Sequence, residues 1–104
     1  LLGEWLTQVK DGQFELGYAY YNKGDLKNGQ LQLEQLLQHK PGHLKGRYYL
    51  TLIMMERSNY SQARQILTPM LELESELQEK VLFLSVVIKY RLEENDKTEK
   101  QAMI

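Results

Sequence analysis

The sequence predicts an all-α protein of antiparallel helical hairpins stacked into a short solenoid. Two observations carry that prediction. Apolar residues recur at three- and four-residue intervals in every segment, and the pattern itself returns every 34 residues. The composition agrees, with two prolines and abundant Leu, Gln, Glu and Lys, residues that favour helix over strand.

The repeat is read from aligned positions. Leu16, Leu50 and Leu84 stand 34 residues apart, each followed by a small residue: Gly17, Thr51 and Ser85. Four residues past each Leu comes a large apolar side chain (Tyr20, Met54, Ile88), and two before it another (Phe14, Tyr48, Leu82). The second halves of the first two units keep the same register without a gap. Gly24 pairs with Ser58, Leu26 with Tyr60, Gly29 with Ala63, Leu33 with Leu67 and Leu36 with Met70.

Five helices follow, at roughly 13–23, 26–39, 43–56, 60–73 and 76–93. The first carries Leu16 and Tyr20 on one face and the third carries Leu50 and Met54, because residues four apart are neighbours on a helix. These stripes are expected to pack within the hairpins. Asn22-Lys23-Gly24-Asp25 and Arg57-Ser58-Asn59 are turn-forming and separate the helices of each pair. Gly29 inside a helix costs about 1 kcal/mol relative to Ala, so it and Gly17 are expected to face a neighbouring helix at close range. Pro41-Gly42 ends the second helix, since proline lacks an N–H and disfavours helix in the residue before it. Pro69 falls inside the fourth helix, where a kink or early end is expected. In the fifth helix Val81, Leu84 and Ile88 form the packing stripe, which leaves Phe83 and Val87 on another side. Leu1 to Lys10 also reads as helical, with Leu2, Trp5, Leu6 and Val9 on one face. The organisation is one repeat domain over 1–92, with units of about 10–43, 44–75 and 76–92, then a charged tail over 93–104 expected to fray.

These residues resemble the tetratricopeptide repeat family, whose first helix has a large residue, then Leu, a small residue and Tyr. The first unit supplies Leu16, Gly17, Tyr20, Gly24, Gly29 and Pro41; it departs at Gln13, where the family has Trp, and at Leu33, where it has an aromatic. The second keeps Leu50, Tyr60 and Ala63 but has Thr51, Met54 and Ser75 at the small, Tyr and Pro places. The third keeps only a first helix. The resemblance implies a concave groove lined by the first helix of each hairpin, which receives a peptide or helix. Its places here are Phe14, Tyr18, Tyr21 and Asn22, then Tyr48, Leu52 and Met55, then Leu82 and Val86, with Lys45, Glu56, Glu79 and Lys89 beside them. The family's clamp for carboxylate tails would use Lys, Asn and Arg at Phe14, Tyr18, Tyr49, Glu79 and Phe83, and none matches.

Residue chemistry points the same way. Phe14, Tyr18 and Tyr21, spaced four then three, form a second stripe on the first helix, and Tyr48, Leu52 and Met55 repeat it. That is more apolar surface than a two-layer hairpin needs, in residue types that carry binding energy at interface centres. Tyr20 and Tyr49 read as core. Seven Tyr against two Phe favours partly exposed rings, since a hydroxyl needs water or a partner.

Other function classes find little support. Net charge is −1, without the basic cluster that nucleic acid requires. The longest apolar run, Val81 to Ile88 interrupted by Ser85, is eight residues against the roughly 20 that span a bilayer. Without cysteine there is no disulfide, thiolate metal site or Cys nucleophile. His39 and His43 are four apart, but Pro41-Gly42 breaks any helix between them, so both are expected in solvent. Glu72, Glu74, Glu76 and Glu79 suit a solvated helix start. No nucleophile elbow or phosphate loop appears, so neither catalysis nor a cofactor is expected. The opening Leu1, with no basic segment and cleavage site, is expected of a trimmed or processed chain. Two classes remain: a docking module for another protein or peptide segment, and a self-associating structural piece forming homo-oligomers. Two and a half hairpins are few for stability alone, which supports the second class or a fragment of a longer repeat array; the docking module is the expected function.

Overall fold

A computed structural model describes residues 12–102, with side chains through Lys97. Among the described residues every regular element is helical. Helix α1 spans Gln13–Asn22, α2 Leu26–His39, α3 Leu44–Glu56, α4 Tyr60–Leu67 and α5 Gln78–Ala102, with a 3-10 turn at Thr68–Met70. The chain separates into two compact units, up to Ile53 and from Met54 onward, so the boundary falls within α3. The expected helical face of Leu2, Trp5, Leu6 and Val9 lies outside the described residues.

In the first unit, α1 and α2 form an antiparallel hairpin. The turn is closed by backbone bonds from Gly24 N–H to the Tyr21 carbonyl (3.0 Å) and from Asp25 N–H to the Tyr20 carbonyl (2.9 Å). That pairing requires a left-handed residue, which Gly24 supplies at φ 83°. Asp25 then caps α2, its carboxylate accepting from Asn28 N–H at 3.2 Å and from the Asn28 amide at 2.7 Å. The Asn28 side chain, then its backbone N–H, holds the Asp25 carboxyl below the usual carboxylate range.

Close approach of the backbones explains the helical glycines. A Cβ on Gly17 would lie 2.8 Å from Leu33 Cγ, and one on Gly29 would lie 3.4 Å from both the Gly17 carbonyl oxygen and the Tyr21 nitrogen. Gly46 of α3 repeats the device, its Cβ position being 2.8 Å from Leu36 Cδ2. Leu33, Leu36, Leu50 and Ile53 are buried in consequence. Burying each such side chain stabilises by about 1.5–3 kcal/mol. Thr51 is buried too, and its hydroxyl donates to the Arg47 carbonyl at 2.8 Å.

One stripe behaves differently from expectation. Leu16 is 44% exposed, whereas Leu50 and Leu84 are buried. The hairpin contact of α1 runs through Gly17 and Tyr21, and Leu16 lies off that line.

The second unit opens with the same turn in other residues. Ser58 N–H bonds the Met55 carbonyl (3.0 Å) and Asn59 N–H the Met54 carbonyl (2.8 Å), with Ser58 at φ 60°. Helix α4 stops at Leu67 rather than near 73. Pro69 has no N–H for the ladder, so the chain tightens into the 3-10 turn, and Thr68 donates its hydroxyl to the Arg64 carbonyl at 2.6 Å. Ser75 turns the chain into α5 by accepting from Leu77 N–H (3.2 Å) and Gln78 N–H (3.1 Å). Helix α5 then continues to Ala102 instead of ending near 93, because no glycine or proline follows Pro69. Met54, Ala63, Leu67, Met70, Val81, Leu84 and Ile88 are the buried apolar residues of this unit, and they include the whole α5 stripe read from the sequence.

Candidate functional site

Five aromatic rings and one imidazole gather in the first unit. Helix α1 contributes Phe14, Tyr18 and Tyr21 at helical spacing, so all three leave it on one side. Helix α3 contributes Tyr48 and Tyr49, and His43 comes from the residue before α3. Tyr49 is the hub. Its ring centroid is 5.0 Å from Tyr18, 5.6 Å from Tyr21 and 5.2 Å from Tyr48, all edge-on, and 5.9 Å from Phe14. Edge-to-face pairs at these distances add about 0.5–1.5 kcal/mol each beyond the area they bury. Phe14 stacks on Tyr18 at 6.0 Å and meets His43 at 5.1 Å.

The cluster is half open to solvent. Tyr18 is 39% exposed, and Phe14, Tyr21, Tyr48 and Tyr49 are half-buried. Burial, then the adjacent Tyr18, pushes the Tyr49 hydroxyl above its ordinary range. A surface of rings with polar tips offers apolar area and hydrogen bonds together, which suits a peptide or helix face.

His43 was read as solvent-exposed, and the structure gives it two structural tasks. Its Nδ1 accepts from Gly46 N–H at 2.9 Å and so caps α3, while its ring packs on Phe14. An acceptor Nδ1 requires the neutral imidazole with its proton on Nε2. Partial burial, then the charge of Lys40, lowers its pKa below the ordinary value of 6.5. Arg47 secures the same corner, donating from Nε to the Pro41 carbonyl at 2.6 Å. His39 is exposed. Among the described residues no three His, Asp or Glu side chains stand close enough to hold a metal, and no helix is long and apolar enough to cross a membrane.

Of the nine residues read as partner-binding, the structure brings Phe14, Tyr18, Tyr21 and Tyr48 together. Asn22 is exposed at the end of α1, and Leu52 is half-buried one turn beyond Tyr48. Met55, Leu82 and Val86 belong to the second unit; Leu82 and Val86 lie exposed on α5, and Met55 is half-buried. The residues missed are Tyr49, taken as core, and His43. A signal for His43 was present, because it stands three residues before Gly46 and directly after Pro41-Gly42, at a helix-start position. Compared with the known protein families, the curated proteins and the solved structures, the chain matches none.

Proposed function

We propose that this chain is a short tetratricopeptide-type helical repeat protein that binds a segment of another protein on the aromatic face of its first unit, and that it catalyses nothing. The observation that carries this reading is the Tyr49-centred cluster. The core of the first unit is already supplied by Leu33, Leu36, Leu50 and Ile53, and the rings add a second apolar surface that stays half exposed. The occupant is an extended or helical segment with apolar side chains for the ring faces and polar groups for the Tyr hydroxyls.

The test is selection of binding peptides from a displayed library on the intact chain and on Tyr18→Ala and Tyr48→Ala variants. Peptides enriched on the wild type are expected to lose at least about tenfold in affinity on variants that melt like the parent, as hot-spot tyrosines do. Peptides that bind wild type and variants alike would place recognition elsewhere.

A second reading, self-association, is favoured by one observation. Leu82, Phe83, Val86 and Tyr90 are 47–67% exposed along α5. Light scattering over a concentration series tests it, and a monomer at every concentration removes it.

A further inference from the structure

The second unit contains a groove of about 460 Å³ between α4 and α5. Its apolar floor comes from Leu67 and Leu71 on one side and Ile88 and Leu92 on the other, with Ser85 as the small residue between them. Arg64, Lys89, Glu93 and Asp96 carry its charges.

The chain's own repeat says what belongs there. Moving back two repeats, 68 residues, puts Ser85 on Gly17 and Lys89 on Tyr21. In the first unit that flank of the helix is covered by α2: Leu33 meets Gly17, and Gly29 meets the Tyr21 nitrogen. The same flank of α5 has the groove instead, among the described residues. The covering helix has a recurring pattern. It is Gly29, Leu33, Leu36 in α2 and Ala63, Leu67, Met70 in α4 and its 3-10 turn, a small residue followed by large apolar ones at four and seven.

The antiparallel geometry of the first unit sets the direction: an occupying helix starts beside Glu93, with Asp96 just beyond its start, and runs past Ser85. Carboxylates at a helix N-terminus are favourable, and a basic residue in its first turn pairs with them across the contact. An acidic residue just past the large apolar residue at four answers Lys89, whose stem leans back along α5 toward Ser85. Helix α2 itself has this layout, with Lys27 in the first turn and Glu34 two turns on.

We infer that the Ser85 flank of α5 binds an amphipathic helix of another protein, of the pattern small-x3-Leu-x2-apolar, basic at its start and acidic in its second half, running antiparallel to α5. This surface is separate from the aromatic cluster of the first unit and does not depend on it.

The experiment titrates a fluorescent peptide with the sequence of residues 25–40, which meets every one of these criteria, into the full chain and follows anisotropy. Saturable binding is expected, weakened by about tenfold or more in the chain by Ser85→Phe, which fills the floor, and in the peptide by Leu33→Asp. The peptide variant leaves the protein untouched, so its result stands even if Ser85→Phe disturbs folding. Tyr18→Ala is expected to bind the peptide like the parent, which separates this site from the aromatic one. No saturation, or binding indifferent to both changes, overturns the assignment. Binding that survives Ser85→Phe alone does so too, because the peptide has then replaced α2 in the first unit. A dimer that Ser85→Phe dissolves would assign the groove to a second copy and likewise overturn it.

Discussion

The two hairpin turns share one backbone and differ in every side chain that matters to it. At the first, Gly24 takes the left-handed conformation without strain and Asp25 caps the next helix. At the second, Ser58 takes the same conformation with a Cβ in the way, and the Asn59 amide donates to Gln62 (2.9 Å) while its side chain makes no cap bond to α4. The contrast extends to the helices. All seven glycines lie within the first 46 residues, so close approach there rests on missing side chains, while the aligned places later hold Ser58, Ala63 and Ser85. A repeat conserves geometry more strictly than it conserves the residues that make geometry easy.

The largest effect should come from inserting one side chain at both aligned places. Gly17→Leu drives new atoms into Leu33 and should destabilise by about 1–3 kcal/mol, read by denaturant midpoint. Ser85→Leu points into the α5 groove and should leave the midpoint nearly unchanged. Equal losses at the two positions would mean that the flanks are equally filled.

An exchange at the turns comes next. Ser58→Gly should stabilise by about 0.5–1 kcal/mol, because it relieves the left-handed strain, and Gly24→Ser should cost about 1 kcal/mol. Thermal melts of both variants check the pair, and two shifts of the same sign would break the equivalence of the turns.

Smaller is the difference between caps. Asp25→Ala should lower the melting temperature more than Asn59→Ala, since only Asp25 accepts a backbone N–H. The Asp25 contribution has a pH signature. Its folded pKa is depressed, so the stability is present above the ordinary value of 3.8 and is lost as pH falls through the lower folded value. In Asp25→Asn that acid-limb dependence should vanish.

The smallest effect belongs to His43. Its folded pKa is also depressed, so its contribution is present above 6.5 and declines as pH falls through the folded value, when protonation removes the acceptor from Gly46 N–H. His43→Ala should flatten the melting temperature between pH 7 and about 5, and an unchanged slope would assign the dependence elsewhere.

Helices, turns and the α5 stripe were legible because each rests on spacing within one segment. Val81, Leu84 and Ile88 are buried as their periodicity required, and Pro69 ended α4 through its missing N–H. Two signals needed a neighbour to interpret them. Tyr49 looked like core because it lies off the Tyr48, Leu52 and Met55 stripe, yet the rings of α1 reach it from the side. Leu16 matched Leu50 and Leu84 in register but not in burial, because the surroundings of a position do not repeat merely because its residue does. The aromatic members of the candidate site were legible as a stripe; their meeting around one ring was not.

Helix α5 is 25 residues long, about 37 Å, while α4 and its 3-10 turn together span fewer than half as many residues. Among its described side chains none after Ile88 is buried, and Leu92 is the last apolar one to line the groove. Slow amide hydrogen exchange therefore belongs to the first three turns, where opening requires dismantling the unit. Past Leu92 the amides rest on helix propensity and on pairs such as Arg91 with Glu94 at 3.7 Å, in a stretch too short to hold itself helical in water. One continuous helix thus contains two thermodynamic regimes, and a protease that needs an unwound strand would meet the second long before the first.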